Sequence, residues 1–122
     1  MIGFAVSWEG QQNGVLWISG DTVFYEGVEE VARRLHIGTA LLHLGGVRFP
    51  LTGPLRYTMT ATDAVRVCRL MKPRTLIPIH YEGWGHFQEH RAAVESAFAM
   101  EPLEVRRSLR WLDIGRRTAI AC

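Results

Sequence analysis

Lysine is almost absent from this chain. Of its 14 basic residues only Lys72 is a lysine, and the rest are arginines. The arginines scatter as isolated pairs such as Arg33-Arg34, Arg106-Arg107 and Arg116-Arg117, and the formal net charge is only +2. No basic stripe forms, so composition argues against nucleic acid as a partner. Cysteine is scarce too. Cys68 and Cys122 cannot build a disulfide framework, and Cys68, inside a helical pattern, is expected to be a reduced core thiol. No apolar run approaches the roughly 20 residues a membrane helix needs. The first residues lack a basic stretch followed by an apolar core. These absences predict a cytoplasmic protein in a reducing compartment. Internal repeats and low-complexity tracts are also missing.

What the chain does have is ordinary globular composition. Its 122 residues are 48% hydrophobic and 21% charged, which predicts one domain over residues 1–122. Residues 2–8 and 15–19 are short apolar stretches joined by a Gly- and Asn-containing loop, the pattern of a β-hairpin. Val28, Val31, Ala32 and Leu35 fall at helical spacing within 27–38, and Gly38 is a plausible stop. The run "TALLHLGG" (39–46) predicts a buried strand closed by two glycines. Residues 47–59, with two prolines and a glycine, form a loop.

Thr60 is placed to cap a helix over 60–72, with Asp63 three residues on as its capping partner. "PRTLIPIH" (73–80) predicts a strand, with Pro78 marking an edge or a terminus. Further helices are expected over 86–100 and after Pro102, and a brief last strand over 110–115. The order β-β-α-β-α-β-α-α-β predicts a layered α/β domain with helices packed on a sheet.

Ligands collect at strand ends in such sheets. Two polar residues end strands abruptly: Asp21, behind "LWISG", and His80, behind "LIPI". A carboxylate and an imidazole held there suit zinc, iron or manganese. Gly20 offers close backbone approach, and Thr22 is a candidate to orient the carboxylate. Taken alone, "GDT" fits a turn or a helix cap equally well. His86 and His90 stand one helical turn apart and form a second candidate zinc pair, without a third ligand at familiar spacing. His43 is expected to be a core histidine, with reach to a site as the lesser alternative, and His36 a surface one.

Taken together, "WISGDT", "TALLHLGG" and "YTMTATDAVRVCRLMKPRTLIPIHYEGW" resemble the carboxyl-terminal half of a metallo-β-lactamase-fold hydrolase. The flavour is that of the branch containing the ascorbate-phosphate lactonases and related metal-dependent hydrolases. The resemblance runs from about Gly3 to Trp111. It implies half of an αββα sandwich: a mixed sheet with helices packed on one face. It implies that Asp21 bridges two metal ions and that His80 binds the second. It implies a divalent metal, zinc first, with manganese and iron as alternatives, and hydrolysis of an ester, lactone, amide or phosphoester in a small molecule. Arg56, Tyr57, Tyr81, Trp84 and His86 are implied on the substrate side.

The family's His-x-His-x-Asp-His motif has no counterpart here. Asp21 and His80 provide two ligands, whereas a catalytic zinc usually takes three plus water. The chain alone is therefore expected to bind metal poorly and to be inactive. The sheet face that packs on the family's other half would lie uncovered, which implies a homo-oligomer or a separately encoded amino-terminal half. The missing half is alternatively expected upstream of Met1. A non-catalytic structural or interaction half-domain is the alternative function. A small zinc module built on His80, His86 and His90 is the third.

Overall fold

In a computed structural model the protein is described over residues 2–122. Strands β1 (Phe4–Val6) and β2 (Val15–Ile18) pair antiparallel, with Phe4 opposite Ile18 and Val6 opposite Leu16. Helix α1 (Glu26–Arg34) leads into β3 (Ile37–His43), which lies parallel to β2. Helix α2 (Ala61–Met71) leads into β4 (Thr75–Ile79), parallel to β3. The sheet order is β1-β2-β3-β4. Helices α3 (Arg91–Ala99) and α4 (Leu103–Ser108) follow. The hairpin, the mixed sheet and the β-α alternation agree with the sequence reading.

Strand alternation sorts the sheet into two faces. Trp17, Ala40, Leu42 and Leu76 point into a core shared with Val28, Ala64, Val67, Val94 and Phe98 of the helices. Cys68 joins this core as expected, its Sγ 3.0 Å from the Ser108 Oγ, and burial pushes its thiol pKa up. Among the described residues no helix packs on the opposite face. Its centre is covered: Thr39 and Ile77 are buried, and Cys122 Sγ lies 3.5 Å from Thr39 Oγ1. Phe4, Val6, Leu16, Ile18, Leu41 and Ile79 of the same face are half-buried or exposed.

Helix α2 is set by its sequence. The Thr60 side chain accepts from the Asp63 N–H, and the Asp63 carboxylate accepts from the Thr60 N–H, a complete capping box. Lys72 closes the helix in the left-handed region at φ 48°.

Four boundaries differ from expectation. The strand expected over 39–46 runs as Ile37–His43. Helix α1 ends at Arg34, Leu35 is already extended, and Gly38 lies inside β3 instead of stopping the helix. Helix α3 begins at Arg91, not residue 86, because the glycine-rich 81–90 segment is irregular. The last strand over 110–115 does not form. Leu109 makes one parallel bridge to Leu76, and Arg110 donates to the Leu76 carbonyl at 2.9 Å. The next outward-facing residue of β4 is Pro78, which has no N–H to extend the ladder. Among the described residues no helix is long and apolar enough to cross a membrane.

Candidate metal centre

Parallel strands bring their carboxyl ends to one edge, so β2, β3 and β4 deliver their following residues to the same place. Asp21 follows β2, His43 ends β3 and His80 follows β4. His80 Nδ1 is 3.8 Å from Asp21 Oδ1 and 3.4 Å from the Leu44 carbonyl oxygen. The His43 and His80 ring centroids are 5.7 Å apart. Asp21 is half exposed and His80 less so. His80 itself adopts φ 59°, a left-handed conformation rare for a side-chain-bearing residue. Such strain is kept where surrounding structure over-determines it, commonly at functional sites.

Gly20 has φ 65°, and a Cβ there would lie 2.5 Å from the Ile2 carbonyl oxygen. The glycine is thus required for close backbone approach, but the neighbour is the chain start before β1. Ser19 is buried, and its hydroxyl donates to the Gly20 carbonyl at 2.9 Å. The same oxygen accepts from the His43 backbone N–H at 3.0 Å and stands 3.5 Å from His43 Nδ1. Burial lowers the His43 pKa; the nearby Asp21 charge opposes this and His80 adds to it. His43 is therefore not the core histidine the sequence suggested. It shares the edge with Asp21 and His80.

The remaining expected residues divide. Thr22 does not orient Asp21: its single hydroxyl proton goes to the Val23 carbonyl at 3.3 Å, and a carboxylate needs a donor. Tyr81 does not line the open side. It is 5% exposed, packs edge-on against Trp111 and belongs to the core, and burial raises its phenol pKa. Arg56 turns to Asp63, with Nη1 3.4 Å from Oδ2, and lines a shallow hollow with Arg48, Thr60 and Glu89.

Tyr57, Trp84 and His86 come together through rings sequence reasoning missed. Phe49 meets both Tyr57 and His86 at 5.3 Å. His86 is 5.7 Å from Trp84 and 4.9 Å from Phe87, which in turn lies 4.9 Å from His80. An aromatic wall thus runs from His80 outward. The expected helical pair of His86 and His90 dissolves. His86 stands in the loop, and His90 precedes α3, its Nδ1 2.9 Å from the Tyr81 carbonyl oxygen. A separate groove of about 160 Å³ between β1 and α1 is lined by Phe4, Trp17 and Tyr25, and meets this region only through Ser19 and Thr22.

Asp21 and His80 fit a borderline divalent cation in kind, one carboxylate oxygen and one imidazole nitrogen. Among the described residues no three His, Cys, Asp or Glu side chains already surround a common point.

No protein-family model matches the chain. It is 30% identical over 103 residues to a UPF0173 metal-dependent hydrolase of Pelotomaculum thermopropionicum, covering 81% of this chain and 40% of that protein. It is 31% identical over 105 residues to one of Opitutus terrae, covering 84% and 40% respectively. The chain thus spans about 40% of the length of these curated relatives. Among solved structures, an isothiocyanate hydrolase from Delia radicum gut bacteria superposes with a TM-score of 0.81 at 19% identity, covering 98% of this chain and 43% of that one. Igni18, a metallo hydrolase from the archaeon Ignicoccus hospitalis, gives 0.58 at 22% identity, covering 83% and 38%. The chain belongs to the metallo-β-lactamase-like superfamily of metal-dependent hydrolases, and its mixed four-stranded sheet with helices on one face is half of that family's sandwich.

Proposed function

We propose that Asp21 and His80 are this chain's contribution to a divalent metal centre that hydrolyses an ester, lactone, amide or phosphoester bond in a small molecule. The observation that carries the reading is their convergence: a carboxylate and an imidazole from separate strand ends, 3.8 Å apart, in a chain of this family. Zinc is the first choice of metal, with manganese and iron next. When bound, such a metal supplies an activated water and a Lewis acid for the developing oxyanion. His80 would hold it through Nε2, since Nδ1 faces the Leu44 carbonyl oxygen; the Asp21 carboxylate, now 3.8 Å from Nδ1, would turn to the Nε2 side. Tyr57, Trp84 and His86 would bound the substrate through the aromatic wall, and Arg56 would stand behind it. The ascorbate-phosphate-lactonase-like branch supplies the starting substrates for assay.

Two donors fall short of a catalytic set, so hydrolysis needs a completing half, and the chain alone would be inactive. The partly open sheet face supports the same need. Phe4, Val6, Leu16, Ile18, Leu41 and Ile79 offer apolar surface to a second copy or to a separately encoded amino-terminal half. The assembly would work in the cytoplasm. A stable, well-behaved monomer in light scattering would count against it.

The second reading is a non-catalytic half-domain that keeps the scaffold. It is favoured by the lack, among the described residues, of any assembled group of three metal donors. One experiment separates the two. The chain is combined with its completing half, and metal content and ester or lactone hydrolysis are measured. The hydrolase reading predicts both, and predicts that Asp21→Ala removes both. Metal uptake unaltered by Asp21→Ala would end it.

A further inference from the structure

We infer that His43 is a third donor of the same centre, so that the chain carries a cation site of its own formed by Asp21, His43 and His80. The inference rests on the metal-centre reading above and goes beyond it, because that reading uses only two donors.

The argument begins at Ser19. This buried serine has one hydroxyl proton, and it goes to the Gly20 carbonyl at 2.9 Å. Its oxygen is then an acceptor, and it already accepts from the His43 backbone N–H at 3.0 Å. His43 Nδ1 lies 3.5 Å from that oxygen; with the serine proton on the Gly20 carbonyl, the contact is favourable when Nδ1 carries its hydrogen. A neutral imidazole protonated at Nδ1 leaves Nε2 with a free lone pair. His80 has the same arrangement, with Nδ1 facing the Leu44 carbonyl oxygen at 3.4 Å. Two imidazoles, each tied at Nδ1 and free at Nε2, is how proteins orient metal-binding histidines.

Spacing agrees. Two imidazoles on one tetrahedral cation, each nitrogen about 2.1 Å from it, set their ring centroids roughly 5 Å apart. The observed separation is 5.7 Å. Topology agrees as well: β3 lies between β2 and β4, so His43, its last residue, comes to the same sheet edge as Asp21 and His80. The three side chains are not yet gathered on one point. Asp21 is the half-exposed member, and its carboxylate, which now faces His80 Nδ1, would have to turn to the Nε2 side to complete the set.

The test is a zinc titration of the metal-free chain, followed by calorimetry and by long-range proton–nitrogen spectra of the histidines. Before zinc, His43 should show Nδ1–H and an unprotonated Nε2. Zinc should bind in a one-to-one ratio and move the Nε2 resonances of both His43 and His80. His43→Gln should weaken binding roughly 10-fold or more, and Ser19→Ala, which releases Nδ1, by less. If zinc moves His80 alone, and Asp21→Asn abolishes binding while His43→Gln does not, the third donor is refuted and the two-donor centre stands. If zinc produces no heat and moves neither ring, this inference falls; the two-donor reading is then judged by metal uptake in the completed assembly. The spectra need only the unsubstituted chain, so a variant that fails to fold does not block the test.

Discussion

Asp21 and His80 meet across the end of β3, whose last residue is His43, with His80 Nδ1 3.8 Å from Asp21 Oδ1. Nothing about folding requires this contact. Both side chains are partly exposed, and ion pairs in such positions contribute about 0–1 kcal/mol. Asp21→Ala should therefore leave the urea midpoint nearly unchanged, with a loss under about 1 kcal/mol, while removing bound metal. A large loss of stability would recast Asp21 as a structural residue.

His43 makes metal-free stability depend on pH. Burial lowers its pKa below the ordinary 6.5. Between that lowered value and 6.5 the unfolded chain holds more protons than the folded one, so stability rises with pH there. It is fully present above 6.5 and declines as pH falls through the window below. The melting temperature of the metal-free protein should drop on acidification, and His43→Gln should flatten the part of the drop below pH 6.5. Identical profiles for the two proteins would contradict the assignment.

Gly20 is the backbone condition for the site. Alanine there meets both a left-handed φ of 65° and the Ile2 carbonyl oxygen at 2.5 Å. The left-handed conformation alone costs about 1–2 kcal/mol for a residue with a Cβ. Gly20→Ala should lower stability by at least that amount in urea denaturation. It should also weaken zinc binding, because Asp21 is the next residue.

Lys72 offers the opposite change. It ends α2 at φ 48° as an exposed left-handed cap, the position glycine favours. Lys72→Gly should raise stability by up to about 1 kcal/mol, with zinc binding unaltered. Thermal melting checks the first and calorimetry the second.

Much of this was legible in the sequence. Asp21 and His80 stood out because each ends an apolar strand abruptly, and the Thr60–Asp63 capping box follows from residue type and spacing alone. His43 was misplaced by a boundary. Taken as lying within a strand over 39–46, it looks like a core residue; β3 in fact ends at His43, which puts it on the sheet edge shared with Asp21 and His80. The two glycines that follow, both at positive φ, were the available signal. The 86–90 segment misled in the other direction, since helical spacing of His86 and His90 means nothing until the helix begins at Arg91. The absent last strand required knowing which way the Pro78 nitrogen faces, and that depends on the pairing of β4. The Phe49–His86 contact joins distant loops, and no local pattern reports it.

The most direct test is anomalous scattering at the zinc edge from crystals of the chain grown with zinc. The account predicts one peak at the carboxyl edge of the sheet, bounded by the Asp21 carboxylate and the His80 ring, with the His43 ring beside it. Anomalous density only elsewhere, for instance beside His86 or His90, or none at that edge at saturating zinc, would contradict a cation site carried by this chain itself.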